Sequence, residues 1–407
     1  MRPDQKKNET RPRKTCFPEE ESRFSFESRR KPAHEQVAKR IANESVRRDR
    51  MSKKRSELRM AAWRNPNRRK PIFTFFPYRR IIVSNNPKGG LQMKLSNEQL
   101  KSIYFGALWF SETEDGYLQA FQYTQSQMDY FKNAFDFWYD RCFATTAKTL
   151  EFVTTATSVS FDYKFIWRGS EDSIELFVNG LAEKIYYVKD LKEAGTVSFE
   201  LPEGEKNVTI YLPSDATLLV RNFEINDTYA PAKKGEKVLW IGDSITQGYG
   251  PLRSAHTYVS VANRSLNYDI INQGIGGYVY DKNSMAPMEG YKPDKIIIAM
   301  GTNQFWSETM DAVEEYYKSL KEVYKDTPVL CVSPIWRGDS PDRYDIFVRF
   351  CENVKKIAGQ YPNVTVVDGF SLVPHLPEYY IDNLHPNLIG AEVYGRNLVE
   401  AIKKTGF

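Results

Sequence analysis

The segment Val238-Leu-Trp-Ile-Gly-Asp-Ser-Ile-Thr-Gln-Gly248 opens with four apolar residues and breaks abruptly into small and polar ones. That pattern predicts a buried strand ending in a tight strand-to-helix turn. Downstream, the apolar runs Ile270–Ile271, Ile296–Met300, Val329–Val332 and Val364–Val367 alternate with helical segments such as Met310–Tyr324 and Arg343–Ala358. Strands alternating with helices predict an α/β domain over residues 236–407, a doubly wound parallel sheet of about five strands. In such sheets the working residues gather on loops beyond the carboxyl ends of the strands.

Toward the N-terminus the period changes. Residues 229–235, Tyr-Ala-Pro-Ala-Lys-Lys-Gly, read as a linker, and residues 94–228 hold short alternating runs separated by turns. These runs are Ser158–Trp167, Ser173–Val178 ending at Asn179-Gly180, Thr196–Leu201, Asn207–Leu212 and Leu218–Ile225. Period-two alternation at this spacing predicts an antiparallel β-sandwich of jelly-roll type. Its aromatic residues Trp109, Tyr117, Phe121, Trp138, Phe161 and Trp167 have two readings: sandwich core, or platforms for sugar rings.

The chain has 407 residues, 41% hydrophobic and 27% charged, which is ordinary globular composition. It contains no run of about 18 apolar residues, so a membrane-spanning helix is not expected. Its four cysteines, Cys16, Cys142, Cys331 and Cys351, form neither a disulfide framework nor a spacing suited to zinc. The net charge of +5 averages two unlike parts. Residues 1–90 carry 17 Arg and 9 Lys against 10 Asp and Glu, a net of +16, which leaves 31 basic and 42 acidic side chains, a net of −11, for the rest. Residues 1–92 therefore read as a disordered basic arm with no core-forming stretch. One role for it is binding RNA or DNA phosphates through Arg47, Arg48, Arg50, Lys53, Lys54 and Arg55. A simpler reading starts from Lys88-Gly-Gly-Leu-Gln-Met93, which AAA GGA GGN, two codons and ATG can encode. Such a stretch holds a ribosome-binding sequence, so residues 1–92 would be untranslated leader before a start at Met93. Neither start is followed by a secretory pattern, and the expected location is the cytoplasm.

Three further motifs sit at the ends of the expected strands. Ser244, in the opening segment, lies where backbone N–H groups at a helix start point at an anion; the Gly-Asp-Ser turn is equally a simple helix cap. Asn272-Gln-Gly-Ile-Gly-Gly277 ends the second strand and Met300-Gly-Thr-Asn303 the third, offering the Gly277 N–H and the Asn303 amide as oxyanion donors. The glycines do not fit a dinucleotide fingerprint, and a tight turn needing positive φ is the plain alternative. Near the C-terminus, Asp382-Asn-Leu-His385-Pro386 places a carboxylate three residues from an imidazole, the arrangement a base needs to activate a hydroxyl. Of the other histidines, His34 lies in the arm, and His256 and His375 have no acidic residue three positions before them. A final helix follows in which Leu388, Ala391, Leu398 and Ile402 can face the sheet.

Taken together, Ser244 in Gly-Asp-Ser-Ile-Thr, Gly277 in Asn-x-Gly-x-Gly-Gly, Asn303 in Gly-Thr-Asn and His385 in Asp-x-x-His-Pro resemble the four blocks of the SGNH hydrolases, also called the GDSL esterase/lipase superfamily. The order matches over roughly residues 236–405. The sandwich resembles the N-terminal domain of bacterial two-domain carbohydrate esterases, on architecture and on the segment 169–180. Gln304 departs from the Asp that many members carry after the third-block Asn. No Gly-x-Ser-x-Gly elbow is present, which argues against an ordinary α/β-hydrolase. The resemblance implies a serine esterase: Ser244 as nucleophile, His385 as base, Asp382 orienting it, and the N–H groups of Ser244 and Gly277 with Asn303 holding the oxyanion. No metal or cofactor is implied. The expected substrate is a small-molecule or oligosaccharide ester, acetyl on a sugar, with Trp306 and Trp336 flanking the ring and Tyr249, Gly250 and Arg253 shaping the acyl pocket. The alternatives are a lipid acyl hydrolase or thioesterase, and a non-catalytic carbohydrate- or RNA-binding protein.

Overall fold

A computed structural model describes residues 92–407 apart from Glu171 and Glu308. The readings placed on residues 1–91, including the basic arm and its phosphate-binding patch, lie outside the described residues. Among the described residues no helix is long and apolar enough to cross a membrane.

Two six-stranded antiparallel sheets form the first half. In one, Ser158–Trp167 pairs with Thr217–Ile225 on one side and Ala194–Glu200 on the other. In the other, Lys206–Tyr211 lies between Thr149–Thr154 and Ser173–Val178. Alternate residues of both sheets, among them Phe152, Phe161, Leu176, Val197, Ile210 and Val220, meet in one buried core, as the alternation predicts. Asn179 and Gly180 have φ of 50° and 80°, the paired positive values of a two-residue hairpin turn. They join Ser173–Val178 to Leu181–Tyr187, an edge strand hidden from the sequence pattern because nearly all of it faces solvent. The expected linker begins as a further edge strand, Tyr229–Pro231, paired with Thr149–Thr154.

The second half is a five-stranded parallel sheet of Lys237–Gly242, Asp269–Gly274, Lys295–Ala299, Val329–Val332 and Val364–Val367 in spatial order 2-1-3-4-5. Its inner strands, Lys237–Gly242, Lys295–Ala299 and Val329–Val332, are buried on both faces, which is why they read as unbroken apolar runs. Val238 and Trp240 point to one face, where Tyr258–Leu266 and Leu388–Thr405 pack. Leu239 and Ile241 point to the other, under Asp311–Tyr324 and Tyr344–Ala358. Each of these last two helices buries a stripe at helical spacing: Val313, Tyr316, Tyr317 and Leu320, then Phe347, Phe350, Cys351 and Val354. In the final helix Ala391, Leu398 and Ile402 are buried as expected, whereas Leu388, in its first turn, is 37% exposed.

The sandwich half also contains helices, which the alternating strands did not predict. Gln125–Ala134 and Asp136–Arg141 leave the sandwich and lie on the parallel sheet's second face. Phe131 and Trp138 are fully buried there beside Ile241, Ile275 and Tyr278, with Trp138 set edge-on to the Tyr278 ring at 5.3 Å. Trp138 and Phe121 are thus core residues of the α/β half rather than of the sandwich or of a sugar platform. A buried polar seam runs beside them. Gln273 Nε2 donates to the Gln122 carbonyl at 2.8 Å, and Arg253 makes an ion pair with the fully buried Glu175.

The first strand delivers Ser244 into a one-turn helix, Ser244–Gln247, capped by Asp243, whose side chain accepts from the Ile245 N–H at 3.1 Å. Burial pushes the Asp243 carboxyl up to about 6, against the opposing pull of the Ile245 N–H, His385 and Arg337.

Two outcomes follow from this packing. Trp138→Ala should cost about 3–5 kcal/mol, read as a lower midpoint of urea unfolding. Asp243 gains its proton more readily folded than unfolded. It therefore contributes stability below about pH 4 that is lost as pH rises through about 6. Asp243→Asn should accordingly raise Tm at pH 8, with the gain fading at pH 4.

Candidate active site

Four loops at the carboxyl ends of the parallel strands converge on Ser244. Its Oγ lies 2.8 Å from His385 Nε2, and His385 Nδ1 lies 2.9 Å from Asp382 Oδ2. The Asp382–His385 loop is closed by the Ile381 N–H donating to the His385 carbonyl at 2.9 Å, with Asn383 at a φ of 63°. Asn387 then caps the final helix, accepting from the N–H groups of Ile389 and Gly390. Burial would raise the Asp382 carboxyl, but the hydrogen bond and charge of His385 and the N–H groups of His385 and Leu384 outweigh it and hold it at about 2. Asp382 thus stays a carboxylate throughout the range in which an imidazole titrates, and it fixes the ring with the second nitrogen toward Ser244.

Gly277 has a φ of 71°, a conformation that favours glycine. Among the described residues neither its N–H nor that of Ser244 meets a protein acceptor. The Asn303 amide donates one hydrogen to the Tyr278 carbonyl at 3.1 Å, which ties it to the Gly277 loop and leaves its second hydrogen for a ligand. Gln304 supplies its own support, its side-chain oxygen accepting the Tyr280 N–H at 2.7 Å. The structure therefore brings Ser244, Gly277, Asn303, Asp382 and His385 to the carboxyl end of one sheet, with the N–H groups of Ser244 and Gly277 and one Asn303 hydrogen not engaged by the described residues.

The remaining candidates divide. Tyr249 meets the His385 ring edge-on at 4.7 Å, and Gly250 is required where it stands, since a Cβ there would lie 2.2 Å from the Pro386 carbonyl oxygen. Arg253 instead turns to Glu175 of the sandwich. Trp306 is 38% exposed, with the Arg343 guanidinium 4.8 Å from its ring, while Trp336 is half-buried and packs on His375 and Tyr380. His256 faces Glu392 and His375 bonds the Phe370 carbonyl, so neither joins the site.

Sequence reasoning passed over Arg337, which lies beside Trp336 after the fourth strand. Buried, it holds Asp339 through two 2.7 Å bonds, donates to the Thr302 carbonyl and covers the Phe305 ring at 4.6 Å. It thereby fixes the turn that carries Asn303. An arginine two residues before an aspartate, just beyond a strand end, was the available signal. A cavity of about 680 Å³ opens elsewhere, between Thr149–Thr154, residues 230–234 and the helix Tyr258–Leu266.

Residues 240–393 match the GDSL-like lipase/acylhydrolase family. No curated protein matches the chain. Among solved structures, the salicylyl-acyltransferase SsfX3 from a tetracycline biosynthetic pathway is 17% identical with a TM-score of 0.60, covering 77% of this chain and 98% of that one. The acetyl xylan esterase Est2A from the rumen bacterium Butyrivibrio proteoclasticus is 15% identical with a TM-score of 0.52, covering 77% and 98%. A family two carbohydrate esterase from Clostridium thermocellum, in complex with cellohexaose, is 19% identical with a TM-score of 0.50, covering 64% and 93%. At these identities the likeness is one of fold. The sequence match and the converging loops place the α/β half of this protein in the GDSL-like lipase/acylhydrolase family.

Proposed function

We propose that this protein is a serine esterase that removes short acyl groups, acetyl foremost, from carbohydrate alcohols. The observation that carries the reading is the unbroken relay from Ser244 Oγ through His385 to an ionised Asp382.

In this scheme His385 Nε2 takes the Ser244 proton as Oγ bonds to the ester carbonyl carbon, and the carbonyl electron pair moves onto oxygen. The N–H groups of Ser244 and Gly277 and the free Asn303 hydrogen hold that oxyanion. The pair returns, the alcohol leaves with the proton from His385, and water repeats the sequence in reverse to free the acid. Asp382 remains a carboxylate and stabilises the imidazolium. With an alcohol in place of water the same steps transfer the acyl group, as the name of the salicylyl-acyltransferase SsfX3 describes for that protein. Product analysis with and without an added acceptor separates the two.

The sugar in this proposal is supported by the exposed ring of Trp306 at the rim and by the acetyl xylan esterase and cellohexaose complex among the structures of like fold. The cytoplasmic setting belongs to the same proposal, and fractionation of the native cells tests it.

Chromogenic acetate, butyrate and octanoate esters offered to the full chain should be cleaved in falling order. Ser244→Ala should abolish turnover, since Ser244 Oγ is the group that attacks the carbonyl. Asn303→Ala should lower kcat by about 100- to 1,000-fold with KM little changed. Preference for octanoate would move the reading to a lipid or thioester hydrolase, and inertness of folded protein toward all three esters would favour a binding role.

A further inference from the structure

The loop carrying Gly277 is held from the sandwich half. The Gly276 N–H donates to Gln247 Oε1 at 2.7 Å, and Gln247 Nε2 donates to Asp215 Oδ1 at 2.8 Å. Gln247 ends the turn that begins with Ser244, Gly276 immediately precedes Gly277, and Asp215 sits between the sandwich strands Lys206–Tyr211 and Thr217–Ile225. We propose that Asp215 is a positioning residue, which orients the Gln247 amide and through it sets the Gly276–Gly277 peptide whose N–H serves as oxyanion donor. This inference rests on the ester-hydrolysis reading above.

Hydrogen-bond polarity sets which end of the Gln247 amide faces Asp215. An amide side chain presents a donor at one end and an acceptor at the other, and its shape alone does not choose between them. A carboxylate only accepts, so Asp215 requires the nitrogen end of Gln247, and the oxygen end must then face the Gly276 N–H. The reversed amide would set donor against donor at Gly276 and acceptor against acceptor at Asp215. Gln247 and Asp215 are 3% and 6% exposed, so bulk water does not stand in for either partner.

Asp215 is itself fixed. Its Oδ2 accepts from the Ser170 N–H at 3.1 Å and from Ser170 Oγ at 2.6 Å, and Arg141 approaches Oδ1 at 3.4 Å. Its own N–H donates to Asp172 Oδ2 at 3.1 Å. Gly169, at a φ of 60°, lets the neighbouring turn close down, since a Cβ there would fall 1.4 Å from the Asp215 carbonyl oxygen. The space that a Cβ on Gly276 would enter is bounded by the Phe137 ring at 3.3 Å and by Gln247 Oε1 at 3.4 Å. The Gly276 peptide thus lies between a ring and an amide, and the sandwich fixes both. The sandwich is therefore part of the oxyanion apparatus and not a separable binding module.

A reciprocal exchange in the full chain tests the relay. Gln247→Glu sets two carboxylates against each other and should lower kcat on an acetate ester by roughly tenfold or more at unchanged KM, the size of a small misplacement at a catalytic donor. Adding Asp215→Asn supplies a donor to the new carboxylate, whose second oxygen again accepts from Gly276. The combined variant should then return to within about threefold of wild type. Wild-type kcat in a folded Gln247→Glu protein, or no recovery in the combined variant, overturns the proposal. Should Gln247→Glu not fold, Asp215→Asn alone decides: a severalfold lower kcat at unchanged KM supports the relay, and wild-type kcat overturns it. Amide hydrogen exchange over residues 274–278 separates this from the parent reading. If wild-type protein cleaves no ester, the esterase proposal falls. Exchange that quickens in Gln247→Glu and slows again in the combined variant still supports the relay, and unchanged exchange overturns it.

Discussion

The burial of Phe131 and Trp138 against the parallel sheet is the interaction on which the rest depends. One face of that sheet has two long helices of its own, Asp311–Tyr324 and Tyr344–Ala358, and they leave the area over Ile241, Ile271 and Ile275 to be covered by residues 125–141. A parallel sheet tolerates no wet face, since its strands are apolar on both sides. The α/β half is therefore completed by helices that belong in sequence to the sandwich. The apolar contact also fixes the relative placement of the two halves, which lets single polar contacts such as Gln273 to Gln122 and Gln247 to Asp215 form at defined lengths.

The same seam reaches the site. Trp138 packs on Tyr278, Tyr278 accepts from Asn303, and Gly277 lies between the second-strand turn and that bond. On the opposite side, the Asp382–His385 loop is closed on itself, and Gly250 admits the Pro386 carbonyl beside it. Two carboxylates flank Ser244 with opposite settings: Asp243, deprived of water, is raised to about 6, and Asp382, rich in donors, is lowered to about 2. Both are aspartates, so the difference follows from the balance of burial against hydrogen bonding and charge rather than from residue type.

Much of this was legible in the chain. Each parallel strand is a buried apolar run ending in its polar motif, so Ser244, Gly277, Asn303 and the Asp382–His385 pair could be placed at one end of one sheet before any coordinates. Leu181–Tyr187 was not visible because an edge strand exposed on both faces has no alternation to read. The helices at 125–141 were not distinguished because their aromatic residues fit a sandwich core equally well, and periodicity does not say which core a buried ring enters. Arg253 and Arg337 were misjudged or missed because a charged residue in a loop gives no sign of which carboxylate or carbonyl it will find.

The sequence by itself determined the strand order of chemistry along the chain, because local burial and turn geometry are written in the spacing of apolar, small and polar residues. It also determined the Asp382–His385 pairing, since three residues within one loop hold both groups close. Only the tertiary structure decided that the sandwich supplies part of the α/β core, that Arg337 steadies the Asn303 turn, and that Asp215 reaches Gln247. Those contacts join segments tens to hundreds of residues apart, and their partners are selected by how two buried surfaces fit, which no local pattern encodes.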